Sequence, residues 1–244
     1  MFHLHWNKLS RMKSSIKTKL IWDIDGTLLK TNGAAAVPFA QAVSDYAGKT
    51  VVIDRKALSG FTDYEIAMHL LNTHDISFEI KHITQILNAY VKNLPESLEN
   101  IGIDLINNVD QVLERLMELP EIELLIGTGN CFMGAEIKLK YAGLARFFLD
   151  QNFFCSSEQL WNRDLIIKTA KDSLSVNEIG IVIGDSPRDI SSAKNSGLSV
   201  IAVPTGAHSY VELESHCPTE ILNEHWRYSD LMIAIEKIKL IEVT

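Results

Sequence analysis

The sequence predicts an α/β fold: a Rossmann-like parallel sheet of five strands wrapped by helices, with an α-helical insertion. Three observations predict it. Short apolar runs alternate with helix-like stretches along the chain, and runs this continuous suit strands covered on both faces. The first run ends in two carboxylates, Asp23 and Asp25, and a later run ends in a third, Asp185. Nearly a hundred residues separate Ile24 from Ile122, whereas a simple parallel crossover needs a dozen or so.

In chain order, Leu20–Ile24 reads as the first strand. The long separation holds the helix-like stretches Ala34–Tyr46, Tyr64–Leu71 and Phe78–Val91, with no strand pattern, and a core helix follows near Val109–Leu119. Ile122–Ile126, Phe153–Cys155, Ile179–Ile183 and Ser199–Val203 supply the other strands. A helix running from Lys138 to Ala142 stops at Gly143, and one from Asp189 to Ser196 stops at Gly197; both glycines suit the left-handed position just past a helix end. The second starts cleanly, with Ser186 as N-cap and Pro187 in the first turn. Asp230–Ile238 closes the chain as an amphipathic helix. The expected organisation is an N-terminal extension over 1–18, a core domain of 19–33 and 105–244, and a helical domain of 34–104.

Composition narrows the function. At 244 residues, 46% hydrophobic and 22% charged, the chain has the make-up of a globular domain with a sizeable core. Its formal charge of −8 argues against nonspecific nucleic-acid binding, which rests on cationic surface. The same charge means that an anionic substrate must be drawn by local cations. Cys131, Cys155 and Cys217 form no C-x-x-C pair, which suits reduced thiols and a cytoplasmic setting. No apolar run reaches the length of a membrane span. The first nineteen residues are basic but offer a single arginine and no apolar segment, so they read as an extension rather than a transit peptide, with Met12 as an alternative start.

The chemistry gathers at strand ends. Asp23-Ile24-Asp25-Gly26-Thr27 directly follows Leu20-Ile21-Trp22, and Gly184-Asp185-Ser186-Pro187-Arg188-Asp189 follows Ile181-Val182-Ile183. Carboxyl ends of parallel strands are where open α/β sheets bind ligands, so the two segments read as halves of one site. Between them, Thr128 and the Gly129 amide end another apolar run, opening into a turn, and offer donors to an anion. Gly127-x-Gly129 is no dinucleotide fingerprint, since Phe132 stands where the third glycine belongs, and Gly48-Lys49-Thr50 is no P-loop, since Val43 replaces the leading glycine. The histidines show no metal-ligand spacing.

Together, Asp23-x-Asp25-Gly26-Thr27-Leu28, the strand-end Thr128 and Gly184-Asp185 with Asp189 resemble the haloacid-dehalogenase-type hydrolases. More closely, they resemble the phosphoglycolate-phosphatase-like branch, whose helical cap is inserted after the first motif; the resemblance spans about residues 19–240. The resemblance implies a Mg²⁺-dependent phosphatase acting on a small phosphorylated metabolite, as monomer or homodimer. Asp23 would attack phosphorus to form an aspartyl-phosphate, and Asp25 would protonate the leaving oxygen and then activate water. Asp23, the Asp25 carbonyl and Asp185 would hold the metal, with Asp189 behind them. Gly26, Gly129 and Thr128 would face the phosphate. The family's third motif supplies a cation: Arg163 is the first choice here, with Lys168 and then Lys171 as alternatives. Gly60-Phe61-Thr62-Asp63 resembles the cap loop that touches substrate, and it also reads as a helix start with Thr62 as N-cap and Glu65 closing a capping box. Asp25 disfavours halide displacement, since related dehalogenases lack the second acid. A sugar-phosphate mutase, or a binding protein on this fold, are the alternatives.

Overall fold

The computed structural model describes residues 16–54 and 56–242. The expected extension falls mostly on residues outside this range, and its boundary moves: β1 is Lys17–Trp22, with Thr18 fully buried. The remaining strands are β2 (Leu29–Lys30), β3 (Asp104–Leu105), β4 (Ile122–Cys131), β5 (Phe153–Ser156), β6 (Glu178–Gly184), β7 (Ser199–Ala202) and β8 (Glu220–Ile221). The main sheet has six strands rather than five, in the order β5-β4-β1-β6-β7-β8, and every pair in it is parallel. The strand missed by the sequence pattern is β8, whose two residues are too few to show any periodicity.

From β1 the chain builds outward to β4 and β5 on one side, then returns to lay β6, β7 and β8 on the other. The crevice at such a reversal is the ligand site of open α/β sheets, and Asp23, Thr128 and Asp185 all lie at it. The pleat sorts side chains between two helical layers. Leu20, Trp22, Ile181 and Ile183 join one apolar layer with α4 (Val109–Met117) and α9 (Tyr228–Glu242). Ile21 and Val182 join the other, with α6 (Arg163–Asp172), α7 (Pro187–Asn195) and α8 (Tyr210–Ser215). α5 (Phe132–Tyr141) packs on the first layer through Ala135 and Leu139.

The insertion supplies α1 (Ala36–Ala47), α2 (Asp63–Thr73) and α3 (Ile80–Ile101), packed round their own apolar cluster of Phe39, Val43, Leu71, Ile83 and Tyr90. α3 runs on past Val91 and through Pro95, because the buried positions Leu87, Tyr90, Leu94 and Leu98 keep one helical stripe going. Where the insertion leaves and rejoins the sheet, Leu29 pairs with Leu105 and Lys30 with Asp104, antiparallel. This two-residue ladder was not legible as strand in the sequence.

Candidate active site

The end of β1 is held from two sides. The Asp23 amide donates to the Ile183 carbonyl at 3.0 Å, tying it to β6. The chain then turns at Gly26, whose φ of +86° needs a residue without a side chain; a Cβ there would stand 2.6 Å from Asp185 Cγ. Thr205 Oγ1 donates to the Gly26 carbonyl at 2.6 Å, and Thr27 Oγ1 donates to Asp185 Oδ1 at 3.3 Å. Close backbone approach is what brings the two carboxylate-bearing segments together.

Asp23, Asp185 and Asp189 are buried, and each offers an oxygen within 4.8 Å of the others. Their cation is Arg163, the first residue of α6, where Asn162 caps the helix by accepting from the Leu165 amide at 2.9 Å. Arg163 Nη2 lies 3.0 Å from Asp23 Oδ1, and Arg163 Nε donates to Asp189 Oδ1 at 2.9 Å. Asp189 also accepts from the Ser186 amide and hydroxyl at 3.0 and 2.7 Å, closing the capping box of α7. One guanidinium among three buried carboxylates leaves negative charge uncompensated. Burial pushes Asp23 up to about 6 against the pull of Arg163, and burial and then Asp189 hold Asp185 well above the carboxylate range. An all-oxygen, over-acidic donor set of this kind suits a hard divalent cation such as Mg²⁺.

A second network starts at Asp25. Its Oδ2 accepts from Lys138 Nζ at 2.6 Å and from Asn130 Nδ2 at 2.7 Å. Lys138 Nζ also donates to Asn130 Oδ1 at 2.5 Å, and Asn130 Nδ2 to Thr128 Oγ1 at 2.9 Å. Burial opposes the charge on Lys138, but Asp25 and Asp63 outweigh it and raise the ammonium above the ordinary lysine range. Sequence reasoning missed both Lys138 and Asn130. A signal for the lysine existed: it sits on the stripe of α5 shared with the buried Ala135 and Leu139, where a charge is out of place. Thr128 and Gly129 lie within β4, not in a turn, because the strand continues to Cys131 past an irregularity in its pairing with β5.

The insertion closes over these groups. Thr62 is the N-cap of α2, in a capping box with Glu65. Its Oγ1 donates to the Trp161 carbonyl at 2.5 Å. Glu65 also takes Arg188 Nη1 at 2.9 Å, and the Arg188 guanidinium stands 3.8 Å over the Phe61 ring. Asp63 Oδ2 accepts from the Cys131 amide at 2.8 Å, and burial pushes its carboxyl up. Gly60 has φ +77° and presses on α7, where a Cβ would stand 2.7 Å from Ser186 Oγ.

Between insertion and sheet lies a cavity of about 820 Å³. Asp23, Asp25, Gly26, Thr128 and Gly129 line it, as do Arg163 from α6 and Asp185 just past β6. Gly60 and Asp63 line it from the insertion, with Lys30 and Lys56 adding positive charge. Asp189 stands behind, held by Arg163. Two expected substrate contacts are corrected. Lys168, five residues past Arg163, faces away on the helix and bonds Asp172 at 2.9 Å on an exposed surface. Thr62 is fully buried, its hydroxyl used by the cap and by Trp161. Lys171 does not line the cavity either. Among the described residues, no helix is long and apolar enough to cross a membrane.

Comparison with known proteins agrees with this architecture. A predicted phosphatase from Clostridium acetobutylicum shares the fold at a TM-score of 0.67 and 18% identity, over 91% of this chain and 100% of that one. A predicted phosphoglycolate phosphatase from Haemophilus somnus aligns at 0.63 and 16%, over 91% and 98%. A mutant of CbbY from Rhodobacter sphaeroides in complex with xylulose-(1,5)-bisphosphate aligns at 0.67 and 17%, over 85% and 93%. No curated protein matches the sequence. The profile of the haloacid dehalogenase-like hydrolases matches residues 20–203, and with three strand-end aspartates gathered at the switch point of its sheet, the chain belongs to that family.

Proposed function

We propose that the protein is a Mg²⁺-dependent phosphatase acting on a small phosphate monoester through an aspartyl-phosphate at Asp23. The observation that carries this reading is the convergence of Asp23, Asp25, Arg163 and Asp185 on one cavity beneath the insertion. Asp23 bonds to phosphorus as the bond to the leaving oxygen breaks, and Asp25 gives that oxygen its proton. In the second half, Asp25 takes a proton from water as the water oxygen attacks phosphorus and the bond to Asp23 breaks, restoring both carboxyls.

Arg163 aims the nucleophile, since its guanidinium bridges Asp23 and Asp189. In this reading the Thr128 hydroxyl and the Gly129 amide, both at the cavity, would donate to phosphate oxygens. Asp23, the Asp25 carbonyl and Asp185 would hold Mg²⁺, with Asp189 behind. The bound metal would offset the charge of the carboxylates and of the transferring phosphoryl group. Lys30 and Lys56 at the cavity counter the chain's net negative charge locally. The cavity volume suits a metabolite-sized ligand, and the bisphosphate held by the CbbY mutant supports a phosphorylated one.

The test is phosphate release from p-nitrophenyl phosphate. It should need Mg²⁺, cease with EDTA and cease in a folded Asp23→Asn variant. Undiminished release from Asp23→Asn would overturn the mechanism. A panel of phosphorylated metabolites then identifies the leaving group.

A further inference from the structure

The ammonium of Lys138 is an unusual thing to bury, since its side chain keeps 4% of its exposure. A buried charge is costly unless partners satisfy it, and packing gives no reason for one here, because Met would fill the same space. Its two donated bonds end on Asp25 Oδ2 and Asn130 Oδ1. The second sets the orientation of the Asn130 amide: with Oδ1 accepting from Lys138, Nδ2 faces Asp25 Oδ2 and Thr128 Oγ1. Asp25 Oδ2 therefore carries two donors, while among the described residues no hydrogen bond reaches Oδ1. Without that arrangement the Asp25 side chain, 39% exposed at the cavity, would be free to turn and present either oxygen.

We propose that Lys138 is a positioning residue which, with Asn130, locks Asp25 by Oδ2 so that Oδ1 alone meets the leaving oxygen of the substrate. The inference rests on the phosphatase reading above. Lys138 touches neither phosphorus nor the nucleophile in this role. It works through Asp25, and through the Asn130 bond to Thr128 it also sets which way that hydroxyl accepts. Proton delivery depends steeply on geometry, so a loosened Asp25 should fail where the leaving group needs a proton and matter little where it does not.

Phenyl phosphate and p-nitrophenyl phosphate separate these cases, because phenoxide leaves poorly without a proton and nitrophenoxide leaves well. The measurement is the single-turnover rate of phenol or nitrophenol release with Mg²⁺, for wild type, Lys138→Met, Asp25→Asn and the double variant. Lys138→Met should slow phenyl phosphate by about 10²-fold and p-nitrophenyl phosphate by no more than a few-fold. Added to Asp25→Asn it should slow neither substrate further, since both changes remove one function. Asn130→Ala, which takes away one of the two donors to Oδ2, should show the same leaving-group dependence more weakly, and serves if Lys138→Met does not fold. Equal slowing of both substrates, or effects that multiply in the double variant, would overturn the proposal and leave Lys138, which lines the cavity, as a support of the fold or a direct contact to the phosphate. Release that survives in Asp23→Asn would instead sink the phosphatase mechanism itself, so the two failures are distinguishable.

Discussion

Arg163 Nη2 lies 3.0 Å from Asp23 Oδ1, and at most a tenth of either side chain is exposed. The same guanidinium holds Asp189, so among the described residues Arg163 is the cation that compensates both. Removing it leaves two buried carboxylates without their cation, a change that typically costs about 3–5 kcal/mol. Arg163→Ala should therefore lower stability by that order in chemical denaturation and reduce turnover on the order of 10²- to 10³-fold. Arg163→Lys should recover little, because a point charge cannot reproduce the fork. Lys168→Ala, which removes an exposed pair with Asp172, should stay within about 0.5 kcal/mol and keep its rate. The opposite order would make Lys168 the functional cation.

The acid cluster predicts how metal and pH act on stability. In the metal-free protein Asp23 is raised to about 6 and Asp185 is raised too. A carboxyl raised on folding contributes stability that is fully present below its unfolded value and is lost as pH climbs through the folded one. In EDTA, the melting temperature should thus fall between about pH 4 and pH 6 and beyond, and Asp185→Asn should raise it at pH 7. Mg²⁺ at a hundred times its dissociation constant adds about 2.7 kcal/mol, a gain of roughly 5–10 °C for a chain of this size. Asp185→Asn should lose most of that gain. Thermal scans with EDTA and with Mg²⁺ check this, and a wild type indifferent to Mg²⁺ would rule the cluster out as a metal site.

Gly60 is where the insertion meets α7. A Cβ would stand 2.7 Å from Ser186 Oγ and 3.2 Å from Arg188 Cβ, at a φ of +77°. The left-handed conformation alone costs a side chain about 1–2 kcal/mol, so Gly60→Ala should lift the loop off the start of α7. Substrates that fill the cavity should lose about tenfold in kcat/KM, while a small aryl phosphate that barely reaches the insertion should lose less. If all substrates fall together, the loop has no part in selection.

Asp63 joins two roles that substitutions can separate. Its Oδ2 accepts from the Cys131 amide, and the residue lines the cavity. Asp63→Ala orphans the amide and should cost about 1–3 kcal/mol, together with a changed ranking of substrates by kcat/KM. Asp63→Asn keeps an acceptor, so most of the stability should return while the altered ranking remains. A wild-type ranking in both variants would place specificity elsewhere.

The sequence by itself determined whatever depends on neighbours along the chain. Asp23 and Asp185 could be read as strand-end acids because continuous apolar runs precede them, and the Ser186-Pro187 start and Gly197 stop of α7 were readable because capping is local. The Thr62–Glu65 box was legible for the same reason. Only the tertiary structure decided the rest. Arg163 and Lys168 share one helix, and the face that met Asp23 and Asp189 chose between them. Lys138 showed in the sequence only as a charge on the apolar stripe of α5, and the partner that explains it, Asp25, which accepts its hydrogen bond from more than a hundred residues earlier, is brought to it by the fold. Thr62 passed from substrate contact to tether because Trp161, far along the chain, offered a carbonyl. β8 is a strand only because β7 lies beside it. Caps and periodicity are written in local geometry, whereas a buried charge is stable only through partners that folding brings from elsewhere, and no spacing in the sequence records them.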